Sequence, residues 1–274
     1  MESPINSSWH GVSARVCFNR ACLWLHQSAF VLEMWAASGF PFSGCWEKTG
    51  RASPHPRRQM EADMAFKKEG AEFTDTVRFK DYALSFAAEE AYEIVSYAFE
   101  HSTELGIDQE KIILAGHSAG GNLVASVLIK NEETKELHPC CALMEYFPTD
   151  NTVDPVERLS EELKKDPFWV KRAETEKMYT DFYVGDADPS DPLCSPAFAK
   201  DQALAAFPDC LIISAGEDSL RDDTEAFGMR LAKAGVCVTM QRITEAMHGF
   251  TTNRTPGWER ALDRQYKFFQ EHLR

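Results

Sequence analysis

Ser118 stands where the sequence first suggests chemistry, inside the stretch IILAGHSAGGNLV at residues 112–124. An apolar run ends there in glycines that surround one serine and one histidine, and apolar periodicity then resumes. A serine raised on a sharp strand-to-helix turn is suited to attack an acyl carbon, and the amide of Ala119 would face the negative charge that develops. A G-x-S-x-G sequence nevertheless arises by chance in roughly one chain in ten of this length. Taken alone, the motif also fits a Ser118 that simply opens a helix.

A nucleophilic serine needs a general base, which in this architecture follows it along the chain. Three histidines come after the motif. His138 lies in a loop that enters a predicted strand, on the wrong side of the sheet, and His272 lies on a charged terminal helix, where we expect it to be solvated. His248, in the segment EAMHGF, follows the last predicted strand, and Gly249 would give its loop freedom to turn. His248 is therefore the predicted base.

The base needs a carboxylate that orients it. Asp218 ends a predicted strand in the segment AGEDSLRDD, and it lies 100 residues after the serine and 30 before the histidine. Asp222 and Asp223 read instead as acids in the first turn of the next helix, where they complement its dipole. Glu217 should point elsewhere, because neighbouring residues of a strand face opposite sides. Asp218 is the predicted acid.

The elements that must position these side chains alternate between strand and helix. Short apolar runs predict strands, and amphipathic stretches predict helices. The predicted strands are 111–116, 140–148, 209–216 and 236–243, and the predicted helices are 86–106, 121–131, 223–235 and 258–273, with a charged helical segment at 154–185. Strands alternating with helices indicate an α/β fold with a mostly parallel sheet covered on both faces.

Composition narrows the classes of partner. The chain has 274 residues and a formal net charge of −14, which argues against nucleic acid because phosphate binding needs a basic surface. The apolar run FVLEMWAASGF at 30–40 contains Glu33 and is too short to span a membrane. We therefore expect no nucleic acid, no stable membrane insertion and a cytoplasmic location.

The eight cysteines show neither C-x-x-C pairs nor the spacing of a metal site. Four of them lie in apolar stretches that read as strands: Cys140, Cys141, Cys210 and Cys237. The sequence thus predicts that these four are reduced and buried in the core, as in a cytosolic protein. It predicts no metal and no cofactor.

Five motifs together resemble the hormone-sensitive-lipase-like α/β-hydrolases, also called bacterial esterase family IV. They are GHSAGGNL, DPLCSP, AGEDSLRDD, RLAKAGV and MHGF, and the match runs from about residue 82 to the end. The resemblance implies an α/β-hydrolase fold and a carboxylesterase that acts on short-acyl esters through an acyl-enzyme. It places Ser118 as nucleophile, Asp218 as acid and His248 as base. It also implies a lid at about 150–185 and a possible homodimer.

Residues 1–80 do not fit this pattern, and we treat them as an atypical N-terminal segment before a catalytic domain at 81–274. The family carries a His-Gly-Gly-Gly stretch that supplies most of its oxyanion hole, and no such stretch precedes the serine here. Only weak strand candidates stand near 29–35 and 72–79, so the sheet could be incomplete at its N-terminal strands. Two explanations stay open: a divergent cap remnant, or a misread, fused or truncated sequence.

Smaller departures lie next to the proposed triad. His117 occupies a position where the family often has Asp, and Ser219 stands where Pro is frequent. The leading interpretation is a serine ester hydrolase. The alternative is a hydrolase-fold protein that binds a ligand and has lost turnover, and cleavage of amides, peptides or lactones also stays open.

Overall fold

The computed structural model describes the backbone of residues 15–18, 21–26, 29–34 and 84–273, and the side chains from residue 87 to 273. Its strands form one sheet whose spatial order follows the chain. The strands are β1 (Arg15–Phe18), β2 (Ala21–His26), β3 (Ala29–Met34), β4 (Ile112–His117), β5 (Cys141–Glu145), β6 (Cys210–Glu217) and β7 (Val238–Met247). Strands β1 to β3 pair antiparallel, and β3 to β7 run parallel.

Helices connect the parallel strands. They are α1 (Leu84–Glu100), α2 (Ser102–Leu105), α3 (Ala119–Thr134), α4 (Pro167–Val184), α5 (Asp201–Leu204), α6 (Arg221–Lys233), α7 (Phe250–Asn253) and α8 (Trp258–His272). Helices α1, α3 and α6 pack on one face of the sheet, and α7 and α8 pack on the other. This arrangement is the α/β-hydrolase type of architecture predicted from the sequence.

Two apolar layers explain why β4 to β6 read as continuous apolar runs. Alternate residues of β4 enter opposite layers: Ile112 and Leu114 face the α3 side, while Ile113 and Ala115 face the α8 side. Because both faces of a parallel sheet are covered, both sets of side chains are apolar. The carboxyl ends of these strands then meet at one edge of the sheet, where polar side chains can gather.

The predicted strands and helices correspond to β4–β7 and to α1, α3, α6 and α8. Strands drawn from residues 15–34 extend the sheet beyond β4, and of these only β3 coincides with a sequence candidate, that near 29–35. The candidate at 72–79 lies outside the described residues.

The charged segment at 154–185 is only partly helical. Helix α4 begins at Pro167, because the Asp166 side chain accepts a hydrogen bond from the Phe168 amide (2.9 Å) and proline fits the first helical position. Before it, the chain forms turns and a short 3₁₀ segment (Leu163–Lys165). The expectation of a continuous helix is thus wrong for its first part.

The five described cysteines, Cys140, Cys141, Cys194, Cys210 and Cys237, are free thiols. Burial holds for Cys141 and Cys210, whereas Cys140 is half-buried and Cys237 is exposed. The prediction of a buried Cys237 is wrong because this residue directly precedes β7, which has a sheet neighbour on one side only among the described strands. An apolar sequence does not distinguish such an end strand from a central one.

Candidate active site

Ser118 lies in the turn between β4 and α3 with φ +55° and ψ −130°, a conformation that non-glycine residues rarely adopt. The surrounding glycines make this turn possible. A Cβ on Gly116 would lie 2.2 Å from the Gly120 carbonyl oxygen, and one on Gly121 would lie 2.7 Å from Cβ of Phe147. The strand and the helix therefore approach too closely for any side chain, and the serine is held in a strained turn at the strand's carboxyl end.

Three of the predicted site residues meet in one hydrogen-bonded chain. Ser118 Oγ lies 2.8 Å from His248 Nε2, and His248 Nδ1 lies 2.8 Å from Asp218 Oδ2. A carboxylate can only accept, so Nδ1 carries a proton and Nε2 of the neutral ring is left to accept from the serine hydroxyl. The Asp218 side chain is fully shielded from solvent, and its other oxygen accepts from the Leu220 amide at 3.2 Å. The arrangement can deprotonate the serine as it attacks.

Tyr146 holds the histidine ring from the side, and the sequence analysis did not single it out. Its ring lies edge-on to that of His248, with centroids 5.2 Å apart, and its backbone has a positive φ of 33°. The Tyr146 hydroxyl bonds Thr251, which donates to the buried Glu145 (3.0 Å), which in turn accepts from Gln265 (2.7 Å). Its position inside the predicted buried strand 140–148 gave no signal of this role in the sequence.

The two histidines set aside in the sequence analysis lie elsewhere. His138 is exposed in the loop before β5. His272 is not solvated as expected: its Nδ1 lies 2.8 Å from the Phe268 carbonyl oxygen and its Nε2 lies 3.1 Å from Asp209 Oδ2. The charged helix turns this residue inward, because its carboxyl end packs beside the start of β6.

The alternative acids also have other partners. Glu217 is exposed at the end of β6. Asp222 is exposed and pairs with Arg221 (2.7 Å), while Asp223 Oδ2 lies 3.0 Å from Arg158. Burial raises the pKa of the Asp223 carboxyl, although Arg158 opposes this effect. Asp218 is the acid that the structure brings to His248.

His117 lies beside the serine and is largely buried. Burial and, secondarily, the nearby His248 lower the pKa of His117 to about 4. His117 is therefore neutral at neutral pH, and it adds no second positive charge when His248 accepts a proton. The neutral His117 thus replaces the negatively charged Asp that the family often carries at this position.

Ala119 is the first residue of α3, so its amide belongs to the positive end of that helix. This is where a donor to an oxyanion should lie, next to the serine oxygen.

Residues 35–83 lie outside the described part of the chain, and so do His10 and Gly11. Within residues 87–273, no three His, Cys, Asp or Glu side chains are grouped as a metal site requires.

A buried amide joins the motifs on the α4 side of the site. Asn122, 1% exposed, donates to the carbonyl oxygens of Pro148 (3.0 Å) and Cys194 (2.9 Å), and it accepts from the Tyr183 hydroxyl (2.8 Å). It thus ties the GHSAGGNL and DPLCSP motifs to the end of α4. The physical reason for an asparagine here is that one side chain must donate twice and accept once.

A second link joins α4 to the acid. The Ser219 hydroxyl donates to Glu176 Oε2 (3.0 Å), and Glu176 Oε1 lies 3.2 Å from Arg172 Nε. A proline at position 219, as is frequent in the family, has no hydroxyl and could not make this bond. The departure noted in the sequence therefore adds a contact between helix α4 and the residue after Asp218.

Comparison with known proteins places this geometry in a family. A family model described as alpha/beta hydrolase fold matches residues 81–252.

Among the described residues, the helices are too short or too polar to cross a membrane.

Curated relatives carry esterase names. Carboxylic ester hydrolase LipN of Mycobacterium tuberculosis is 33% identical over 170 residues, which cover 60% of this chain and 44% of that protein. An arylesterase of Saccharolobus solfataricus is 28% identical over 171 residues, covering 62% of this chain and 54% of that protein. The chain thus spans about half the length of these relatives.

Solved structures agree on the fold. The hyperthermophilic esterase of Pyrobaculum calidifontis superposes with a TM-score of 0.62 at 25% identity, over 70% of this chain and 62% of that one. Carboxyl esterase 2 of Tuber melanosporum gives a TM-score of 0.54 at 27% identity, over 66% and 60% of the two chains. The resemblance inferred from the five motifs is confirmed, and the chain belongs to the alpha/beta hydrolase fold family, in its hormone-sensitive-lipase-like branch.

Proposed function

We propose that this protein is a serine carboxylic ester hydrolase. The observation that carries the proposal is the hydrogen-bonded chain from Ser118 Oγ through His248 to Asp218, with 2.8 Å at each step. The serine of this chain lies in a strained strand-to-helix turn, as the nucleophile of an α/β-hydrolase requires. The esterase names of the relatives support the same reaction class.

The mechanism follows from the roles of the three side chains. Ser118 Oγ attacks the ester carbonyl carbon while Nε2 of His248 takes its proton, and Asp218 holds the ring through Nδ1 and stabilises the imidazolium. The Ala119 amide donates to the oxyanion. The imidazolium then protonates the leaving alcohol, and a water molecule, deprotonated by the same nitrogen, releases the acid from the acyl-enzyme. The reaction needs no cofactor.

The finer features of the proposal concern substrate and assembly. We assign residues 81–274 to the catalytic domain and 1–80 to an atypical N-terminal segment, whose strands β1 to β3 continue the same sheet. We assign the lid to about 150–185, with α4 as its helical part. We infer short-acyl esters as substrates from the family resemblance. A cytoplasmic location is supported by the five free cysteines, and a homodimer is a family-level expectation.

A hydrolase-fold protein that binds a ligand without turnover is the second candidate. One observation favours it: the sequence has no His-Gly-Gly-Gly stretch before Ser118. Loss of one oxyanion donor typically slows turnover about a hundred- to a thousandfold. Against it stands the complete chain of hydrogen bonds, for which simple binding gives no reason.

Hydrolysis of p-nitrophenyl butyrate separates the two candidates. Ser118→Ala and His248→Ala should each lower kcat/KM at least about a thousandfold. His138→Ala removes an exposed loop histidine and serves as the matched control, which should keep the rate of the unmodified protein. Equal rates in all four proteins would overturn the esterase proposal.

Two further measurements test the finer claims. A p-nitrophenyl phosphonate should add one phosphonyl group to the peptide that contains Ser118, detected by mass spectrometry, and labelling of another residue would contradict the assigned nucleophile. Acyl length is tested with p-nitrophenyl acetate, butyrate, octanoate and decanoate. The short-acyl assignment fails if kcat/KM rises with length up to decanoate.

A further inference from the structure

Helix α4 contacts the proposed acid through one hydroxyl group. Ser219 directly follows Asp218 just after β6, and its Oγ lies 3.0 Å from Glu176 Oε2 of α4. The same oxygen lies 3.4 Å from Asp218 Oδ1. A serine hydroxyl carries one proton, and hydrogen bonds between a hydroxyl and an oxygen are usually about 2.7–2.8 Å long. The proton therefore goes to Glu176, the nearer acceptor, and Asp218 is only a distant second acceptor.

Asp218 accepts two shorter hydrogen bonds. Its Oδ2 lies 2.8 Å from His248 Nδ1, and its Oδ1 accepts from the Leu220 amide at 3.2 Å. The Asp218 side chain is fully shielded, so bulk water does not reach it. Each further donor stabilises a carboxylate and weakens its attraction for a proton on a neighbouring group. The Ser219 hydroxyl is thus a third donor beside the acid, and Glu176 keeps its proton engaged elsewhere.

The position of Glu176 is set by its own helix. Its Oε1 lies 3.2 Å from Arg172 Nε, one turn earlier in α4, which leaves Oε2 for Ser219. Ala173, three residues before Glu176, is 1% exposed, and the Tyr183 hydroxyl, seven residues after it, bonds a buried asparagine of α3. Residues at these spacings share one face of a helix. Glu176 therefore lies on the face of α4 that packs against the sheet domain.

Several elements bring titratable or charged groups towards the ring of His248. These groups are Ser118 and His117 from the end of β4, Tyr146 from the end of β5, Asp218 from the end of β6 and, beyond Ser219, the Glu176–Arg172 pair of α4. Burial lowers the pKa of His117 to about 4, so that this ring is neutral near pH 7. Asp218 is the anion that bonds the ring directly, whereas Glu176 reaches it through Ser219 and Asp218.

We propose that Ser219 is a positioning residue that couples the docking of α4 to the support that Asp218 gives to His248. While α4 is docked, the hydroxyl donates to Glu176 and leaves the acid with two donors. When Glu176 moves away, the hydroxyl turns to Asp218, and this third hydrogen bond weakens the hold of the carboxylate on the imidazolium. The inference rests on the proposed function, since it adds regulation by the lid helix to the same triad.

The experiment measures the pH midpoint at which the ring resonances of His248 titrate, by NMR of protein with isotope-labelled histidines. His248→Gln identifies these resonances. Glu176→Ala should lower the midpoint by about half a pH unit or more, because it removes a negative charge and releases the Ser219 hydroxyl to Asp218. Adding Ser219→Ala to Glu176→Ala should raise the midpoint again, whereas Ser219→Ala alone should shift it much less.

A second glutamate of α4 provides the matched control. Glu174 lies two residues before Glu176 and is exposed, so Glu174→Ala removes the same charge from the same helix without removing the acceptor of Ser219. Its effect on the midpoint should be smaller, and it should be the same with and without Ser219→Ala. Ser219→Thr keeps a hydroxyl at this position. Combined with Glu176→Ala, it should lower the midpoint as Ser219 does.

The coupling between the two positions tests the proposal. It is overturned if Glu176→Ala shifts the midpoint equally with and without the Ser219 hydroxyl, because an equal shift indicates the effect of charge alone. In parallel, kcat for p-nitrophenyl butyrate should fall about threefold in Glu176→Ala and recover in the double variant, with KM changing less. If the unmodified protein does not hydrolyse this ester, the proposed function fails, and the titration of His248 still decides whether the coupling exists.

Discussion

Strand β6 has an aspartate just before it and another just after it, and each aspartate binds a histidine. At the carboxyl end, Asp218 Oδ2 lies 2.8 Å from His248 Nδ1, and at the amino end, Asp209 Oδ2 lies 3.1 Å from His272 Nε2. The difference lies in the second nitrogen of each ring. That of His248 faces Ser118 Oγ, whereas that of His272 bonds a carbonyl oxygen of its own helix.

The comparison teaches that an Asp–His pair by itself is not a general base. A base needs an open lone pair directed at a proton, which the His248 geometry provides. In His272 both ring nitrogens face acceptors, the Phe268 carbonyl oxygen and Asp209 Oδ2, so neither is directed at a proton to be removed. One strand thus carries a proton acceptor at one end and a structural Asp–His contact at the other.

Removing the carboxylate charge at each end of β6 should give the largest difference in activity between the two Asp–His pairs. Asp218→Asn should lower kcat for p-nitrophenyl butyrate about a thousandfold or more, because the ring loses the anion that sets its tautomer and stabilises its imidazolium form. Asp209→Asn, the matched change at the other end, should leave kcat within about twofold. A comparable loss in both variants would mean that the effect is one of stability and not of proton transfer.

The pH dependence of stability should differ in sign between two histidines. The pKa of His117 is lowered to about 4 in the folded protein, whereas in the unfolded chain it has the ordinary value near 6.5. As the pH falls below 6.5, the unfolded chain therefore binds a proton that the folded protein does not bind. Between pH 7 and pH 5 this costs about 2 kcal/mol of unfolding free energy. Denaturant unfolding of His117→Gln should therefore show a smaller loss over that range.

His272 should behave in the opposite way. Its raised pKa contributes stability that is fully present below the ordinary histidine value and is lost as the pH rises through the folded value. The loss of unfolding free energy between pH 7 and pH 5 should therefore be larger in His272→Gln than in the unmodified protein. If both variants change the slope in the same direction, the contrast between a neutral and a charged ring is incorrect.

The smallest expected effect concerns Tyr146, which packs against His248 at the carboxyl end of the sheet. Tyr146→Phe keeps the ring edge against His248 but removes the hydroxyl that bonds Thr251. We expect kcat to fall about fivefold with KM nearly unchanged. In Tyr146→Ala, which also removes the ring, kcat should fall further. A change in KM alone would indicate a role in substrate contact and not in holding the histidine.

The sequence predicted the parallel core and the three residues of the hydrogen-bonded chain because each of the three follows a predicted strand. It did not predict Tyr146, since a tyrosine within a predicted buried strand is interpreted as a core residue. It misjudged Cys237 and His272 for a related reason: exposure depends on which strand lies at the end of the sheet and on how a helix end docks. Neither property can be predicted from the local periodicity of the sequence.

Asn122 has a consequence for how this half of the molecule opens. Because one amide holds Pro148, Cys194 and Tyr183 together, releasing the end of α4 leaves a buried acceptor without its donor. The loops on that side should then unfold as one cooperative unit, with a common hydrogen-exchange rate, instead of loosening separately.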